Sequence, residues 1–263
     1  MTDLLYQTDS YLRQFEATVT AVDEANRGVV LDRTAFYPGG GGQPADRGTL
    51  AAGGASYPVK RAKWVGGALL HLIEEVEEPP ERSLPGSGMS GIPRGPLHDV
   101  PLPQVGQTVS GALDWAHRYR LMRTHTAMHI LCGVIWRDYG ASVTGGNMEP
   151  LQGRMDFEFE TMRQELVHEI EEKINEEVAN GREVRVAILP REEAFQIPDL
   201  IRTKINLLPE GIEAVRVVEI AGLDLQADGG THVRNTSEVG RLRVVDYKSK
   251  GKINKRIYLE VEP

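Results

Sequence analysis

The stretch DWAHRYRLMRTHTAMHILCGVIWRDYG, residues 114–140, is where the hydrophobic period of this chain changes. Within it Leu121, His125, Met128, His129, Cys132 and Trp136 recur at spacings of three and four, one stripe of an α-helix, with Gly140 placed to end it. Upstream the pattern is that of strands. FEATVTAV, GVVLDR, SYPVKRAKWV and TVSGALDW are short, β-branched or alternating, and punctuated by glycine, which predicts a small β-barrel or sandwich. Downstream, TMRQELVHEIEEKINEEVANG predicts a second helix: Thr161 and Gln164 form a capping-box pattern, Val167, Ile170, Ile174 and Val178 an apolar face, and Gly181 a stop. Strands near residues 183–189 and 214–220 follow, then a hairpin of RLRVVDY and INKRIYLEV around Gly251. Strands first, then helices mixed with antiparallel-looking strands, read as α+β: a barrel at 1–113 followed by an α+β unit at 114–263. The proline- and glycine-rich residues 79–104 read as an irregular surface insertion to which no chemistry is assigned.

At 263 residues the chain is long enough for a sizeable core and for two domains. With 40% hydrophobic and 26% charged residues it carries no disorder signature, and no apolar run reaches membrane-spanning length. Asp3 and Asp9 stand where a secretory signal would be basic, and the single Cys132 cannot form an intrachain disulfide. Both observations point to a reducing, cytoplasmic setting. A net charge of −8 argues against a generic nucleic-acid binder, but the charge is unevenly spread. From Arg241 to Arg256 seven positive residues, Lys248, Lys250 and Lys252 among them, stand against Asp246 alone. That segment is either a solvated hairpin surface or a phosphate-binding edge.

His125 and His129 sit one helical turn apart on the same stripe, so their imidazoles leave the helix on one face. The stretch DGGTH, residues 228–232, sets Asp228 and His232 four apart around two glycines, which let the backbone turn tightly. A lone histidine on an apolar stripe is ordinarily a hydrogen-bonded core residue. Two four-residue pairs in one domain instead predict a divalent metal site made of His125, His129, Asp228 and His232.

These residues resemble a known family. RTHTAMHIL with the distant DGGTHV is similar to the HxxxH and CxxxH pairs of the alanyl-tRNA editing proteins, AlaX-type relatives of the editing domain in alanyl-tRNA synthetase. TAFYPGGGGQPADRG resembles that family's glycine-rich motif, and DWAHRYRLMRTHTAMH and KSKGKINKRIYLEV its domain entry and terminal hairpin. The resemblance spans nearly the whole chain except residues 79–104. It implies an N-terminal barrel like those of translation factors, a C-terminal metal-binding editing domain, a zinc ion, and hydrolysis of mischarged tRNA(Ala), whose acceptor end is then the partner. Asp228 departs from the pattern, because cysteine is usual there. A carboxylate ligates zinc at about 2.0–2.2 Å and a thiolate at about 2.3 Å, with the same charge. The harder oxygen should loosen the preference for zinc over other first-row ions, and it leaves direct or water-mediated ligation open.

An editing site must remove serine and spare alanine, which is smaller and cannot be excluded by size. A site that hydrogen-bonds the serine hydroxyl discriminates, because alanine leaves its polar groups unpaired. Thr34 is the candidate for that contact. Gly40, Gly41 and Gly42, preceded by Phe36 and Tyr37, form a candidate wall for the aminoacyl group or the terminal adenosine. Gln43 is the candidate oxyanion donor or water positioner. A metal can activate water or orient and polarise the substrate; four protein ligands describe a closed site, so the first role needs an open position. Two rivals stay open: a non-catalytic tRNA- or ribosome-binding module with a structural metal, and a metal-dependent hydrolase of small esters.

Overall fold

A computed structural model describes residues 2–74, 101–201 and 211–262. Strands β1 (Asp3–Leu4), β2 (Gln14–Asp23), β3 (Gly28–Leu31), β4 (Arg33–Thr34), β5 (Gly48–Ala52), β6 (Ala55–Val65), β7 (Ala68–Ile73) and β8 (Thr108–Leu113) precede the long helix α1 (Trp115–Tyr139). Six of them close a barrel in the order β2-β3-β7-β6-β5-β8, with every neighbouring pair antiparallel. Alternation along β2 turns Phe15, Ala17 and Val19 inward, where they meet Leu31, Phe36, Leu50, Leu69 and Val109. Closure leaves these strands no open edge. The short β1 and β4 pair in parallel beside the barrel.

After α1 come β9 (Val143–Glu149), β10 (Gln152–Glu158), α2 (Gln164–Ala179), β11 (Val184–Pro190), α3 (Arg191–Ala194), β12 (Ala214–Ile220), β13 (Asp224–Ala227), β14 (Leu242–Ser249) and β15 (Asn254–Val261). They make a four-stranded antiparallel sheet, β14-β15-β10-β9, and a three-stranded one, β11-β12-β13. The second core lies between α1, α2 and the inner face of the larger sheet, with Met128, Ile130, Met155, Phe157, Ile170, Ile174 and Ile257 at its centre. Helix and sheet approach closely where the strands carry glycine. A Cβ at Gly153 would lie 3.0 Å from the Met128 sulfur, and one at Gly146 3.2 Å from its methyl carbon.

The helix read from residues 114–140 forms, capped by the Asp114 carboxylate, which accepts from the His117 amide, and ended by Gly140 in the left-handed conformation. The expected capping box of α2 does not form. The helix begins at Gln164 with Arg163 as its extended cap and no side-chain bond, so Thr161 lies outside it. The apolar face and the left-handed Gly181 stand as expected, although Val178 is only partly buried. Strands β1, β4, β5, β7, β9, β10 and β13 are additions to the sequence reading; β1, β4, β5 and β13 are short, and β9 carries two adjacent glycines. Most of the expected insertion, residues 75–100, lies outside the described residues. At its far end Pro101 and Gln104 are exposed as expected, but Leu102 and Pro103 are buried, Leu102 in the barrel core. No described helix is long and apolar enough to cross a membrane.

Candidate metal centre

Helix α1 carries His125 and His129 inward, and the turn after β13 carries Asp228 and His232 to meet them. One ligand atom from each of these four residues falls within 4.8 Å of the others. The His125 and His232 rings stack at 4.2 Å, and His129 stands edge-on to both. Asp228 Oδ2 lies 3.0 Å from His232 Nε2, and Oδ1 lies 3.5 Å from His125 Nε2. Gly230 permits this convergence. A Cβ there would overlap the His125 ring and lie 2.7 Å from Gln43 Oε1.

Hydrogen bonding behind the rings sets their tautomers. Gln43 Oε1 accepts from the Thr231 amide at 3.0 Å, so His125 Nδ1, 2.9 Å from the same oxygen, must donate. His129 Nδ1 likewise donates to Asp224 Oδ2 at 3.0 Å. With Nδ1 the donor in each, the neutral ring carries its lone pair on Nε2, the nitrogen through which each imidazole would bind a cation. His232 Nδ1 lies 3.2 Å from the Thr126 hydroxyl. Burial, against the attraction of Asp228, drives the His125 pKa well below the ordinary histidine value and that of His232 to about 4. Burial also works against a proton on His129, but its bond to Asp224 more than offsets this and its pKa rises. Burial works against the charge on Asp228, but its attraction to His125 and the bond from His232 hold its pKa well below the ordinary carboxylate value. Three imidazole nitrogens and a carboxylate oxygen, each backed by a second partner, suit a divalent first-row ion.

The chain is 38% identical to "Alanyl-tRNA editing protein AlaX-M" of Saccharolobus solfataricus, over 100% of both chains. The chain belongs to the alanyl-tRNA editing protein family. A Methanosarcina mazei relative of the same name is 37% identical over 99% of this chain and 97% of its own. "Alanine--tRNA ligase" of Ignicoccus hospitalis is 35% identical over 92% of this chain but 24% of its own length. Residues 215–258 match the family described as "Threonyl and Alanyl tRNA synthetase second additional domain", and residues 7–82 match "tRNA synthetases class II (A)".

In this editing-family chain the glycine loop reaches the same place. Gly39 to Gly42 all take positive φ, Gly40 and Gln43 close the turn through reciprocal backbone bonds, and a Cβ on Gly41 would lie 3.9 Å from Asp228 Oδ1. Gln43 is 2% exposed and holds both His125 and Thr231. Thr34 is elsewhere in its bonding. Its hydroxyl accepts from the Phe36 amide and lies 2.8 Å from His71 Nε2, inside the barrel, with no hydrogen bond to the four-residue group among the described residues. Lys248, Lys250 and Lys252 stand exposed at the end of the β14–β15 hairpin. Lys248 pairs with Asp246 at 2.9 Å and lies over the Tyr258 ring. Asp224, Thr126, Thr231 and Arg216 complete the surroundings of the cluster and escaped the sequence reading. Only the separation of Asp224 from Asp228, another four-residue step, hinted at one of them.

Proposed function

We propose that the chain is a trans-editing hydrolase that deacylates mischarged tRNA(Ala), chiefly Ser-tRNA(Ala). The observation that carries this reading is the convergence of His125, His129, His232 and Asp228 against the glycine loop, in a chain matched end to end by proteins named for alanyl-tRNA editing. The partner is then the acceptor end of the tRNA, and the setting the cytoplasm. In this reading residues 1–113 form the unit that contributes the loop, and residues 114–263 the editing unit that carries the histidines.

A divalent ion held by the four residues, zinc by family resemblance, supplies Lewis acidity toward an ester carbonyl or a water molecule. The protein groups do the rest. Gln43 and Asp224 hold His125 and His129 with Nε2 free, so Gln43 acts through His125 as a positioning residue. The Gly40–Gln43 closure uses the amides of those two residues and leaves those of Gly41 and Gly42 outside it; Gly42 packs against Gly146 and Asn147, and Gly41 lies next to Asp228. There the backbone can approach the aminoacyl group or the adenosine without a side chain between them. Water adds to the carbonyl carbon and the π electron pair moves to the carbonyl oxygen. Collapse breaks the bond to the ribose oxygen, which takes up the proton, releasing serine and free tRNA. Thr34 has its hydrogen committed to His71, because His71 Nδ1 must donate to the Val29 carbonyl; toward serine it acts only as an acceptor.

A set of four candidate ligands, three buried histidines and a partly buried carboxylate, is also what a structural ion would have, the observation that favours a non-catalytic tRNA-binding module. Purified protein given Ser-tRNA(Ala), Ala-tRNA(Ala) and a small seryl ester, with and without chelator, separates the readings. Chelator-sensitive release of serine from Ser-tRNA(Ala), with Ala-tRNA(Ala) spared and both metal and activity lost in His125→Ala/His129→Ala, is expected. Binding without turnover would instead assign the module, and turnover of the small ester alone the other hydrolase.

A further inference from the structure

Arg216, on β12, sets a guanidinium against the cluster. Its side chain is 5% exposed. Nε donates to the Gln7 carbonyl at 2.8 Å and Nη1 to the Asp228 carbonyl at 2.8 Å, while the Asp228 amide returns a bond to the Arg216 carbonyl. Nη1 also lies 3.8 Å from Asp228 Oδ2, and the positive charge acts on all three imidazoles and on the Tyr6 and Tyr37 rings. Nη2 is buried and meets no acceptor among the described residues.

A buried guanidinium nitrogen without an acceptor is costly, so its retention beside a reactive centre calls for a partner that arrives with the substrate. Two anchors at the Gln7 and Asp228 carbonyls lock the plane of the fork, which fixes the direction of Nη2 before anything binds. A donor held in place in a dry, low-dielectric setting is worth most to an oxygen whose negative charge grows during reaction. Gln43 differs from it, since its oxygen accepts from His125 and the Thr231 amide and its nitrogen gives one of two hydrogens to the Thr231 hydroxyl.

We propose that Arg216 Nη2 donates to the carbonyl oxygen of the aminoacyl ester and stabilises the negative charge on it as water adds. This rests on the deacylase reading and names a catalytic residue within it. When water adds, the π pair lodged on that oxygen is held by the guanidinium, and it returns to re-form the carbonyl as the bond to the ribose oxygen breaks and that oxygen gains the proton. The same N–H would also suit a phosphate of the tRNA backbone, so the test uses probes without phosphate.

Arg216→Met and Arg216→Lys are compared with the unaltered protein, with metal content and thermal melting recorded for each. Two adenosine analogues lacking the 5′-phosphate are titrated by calorimetry: a 3′-serylamino compound, whose amide carbonyl is uncharged, and a tetrahedral phosphonate, anionic at that position. In Arg216→Met the phosphonate should bind about 100-fold more weakly while the amide changes little, and kcat on Ser-tRNA(Ala) should fall about 10²–10³-fold with KM nearly constant. Arg216→Lys, which keeps the charge but not the fork, should fall between, and it decides the matter if the methionine variant does not fold. Equal weakening for both analogues, or weakening of neither even where turnover of Ser-tRNA(Ala) falls, would overturn the assignment. Failure of the unaltered protein to deacylate Ser-tRNA(Ala) would count against the function itself, whatever the variants do.

Discussion

His71 lies fully buried in the barrel, with Nδ1 donated to the Val29 carbonyl and Nε2 facing the Thr34 hydroxyl. Burial lowers its pKa to about 4, so the folded protein keeps it neutral through mild acid. An unfolded chain takes up that proton near pH 6.5. Between these values the unfolded state binds the proton and the folded state refuses it, so stability is full above about pH 6.5 and falls as pH drops toward 4, by about 3 kcal/mol. Urea midpoints from about pH 4.5 to 7.5, for the protein and for His71→Gln, isolate this contribution, because the cluster histidines act equally in both. The unaltered protein should lose more stability in acid. Parallel curves would show that His71 does not carry the effect.

Helix α1 is fastened to the barrel by a buried ion pair. Arg118, fully buried, donates from Nε to Asp46 Oδ1 at 2.8 Å and from an Nη to Asp46 Oδ2, and its remaining donors take the Ala35 and Ser10 carbonyls. Asp46 in turn accepts from the Tyr37 amide, so the same pair sets the approach of the glycine loop to the histidines. Arg118→Met keeps the bulk but leaves the Asp46 charge buried and unpaired, which should lower the unfolding free energy by about 3–5 kcal/mol. Denaturant melts of Arg118→Met and of the double variant Arg118→Met/Asp46→Leu check the cause. The second change should restore part of the stability. If the double variant is no better, the helix is held by packing rather than by the pair.

Across the molecule the net charge is negative, and the hairpin of β14 and β15 is a local exception. Replacing Lys248, Lys250 and Lys252 with glutamine should weaken tRNA binding and reduce the slope of log affinity against log salt by about 0.7–0.9 for each phosphate that is no longer neutralised. Lys248 alone should matter least, since Asp246 and the Tyr258 ring already engage it. An unchanged slope would return these charges to ordinary solvation. The family and the α+β order were legible in the chain, as were the helix from Trp115 to Tyr139 and the four residues of the candidate centre. Each rests on local geometry: a helical turn puts His125 and His129 on one face, and a glycine turn brings Asp228 and His232 together, whatever surrounds them. The missing cap of α2 and the unread strands β1, β4, β5, β7, β9, β10 and β13 fall where segments are short or neighbours outweigh local preference. The partners behind the rings lay beyond the sequence for a different reason. Gln43 meets His125 across 82 residues of chain and Asp224 meets His129 across 95, while Arg216 reaches Asp228 from an adjacent strand and Gln7 from the N-terminal turn. No period or spacing encodes such meetings, because a side chain's distant partner is selected only when the barrel, the long helix and the small sheet pack together. The sequence by itself determined which groups can bind a cation; the tertiary structure decided which ring nitrogen of His125 and of His129 is tied up behind the site, and which buried guanidinium stands beside Asp228.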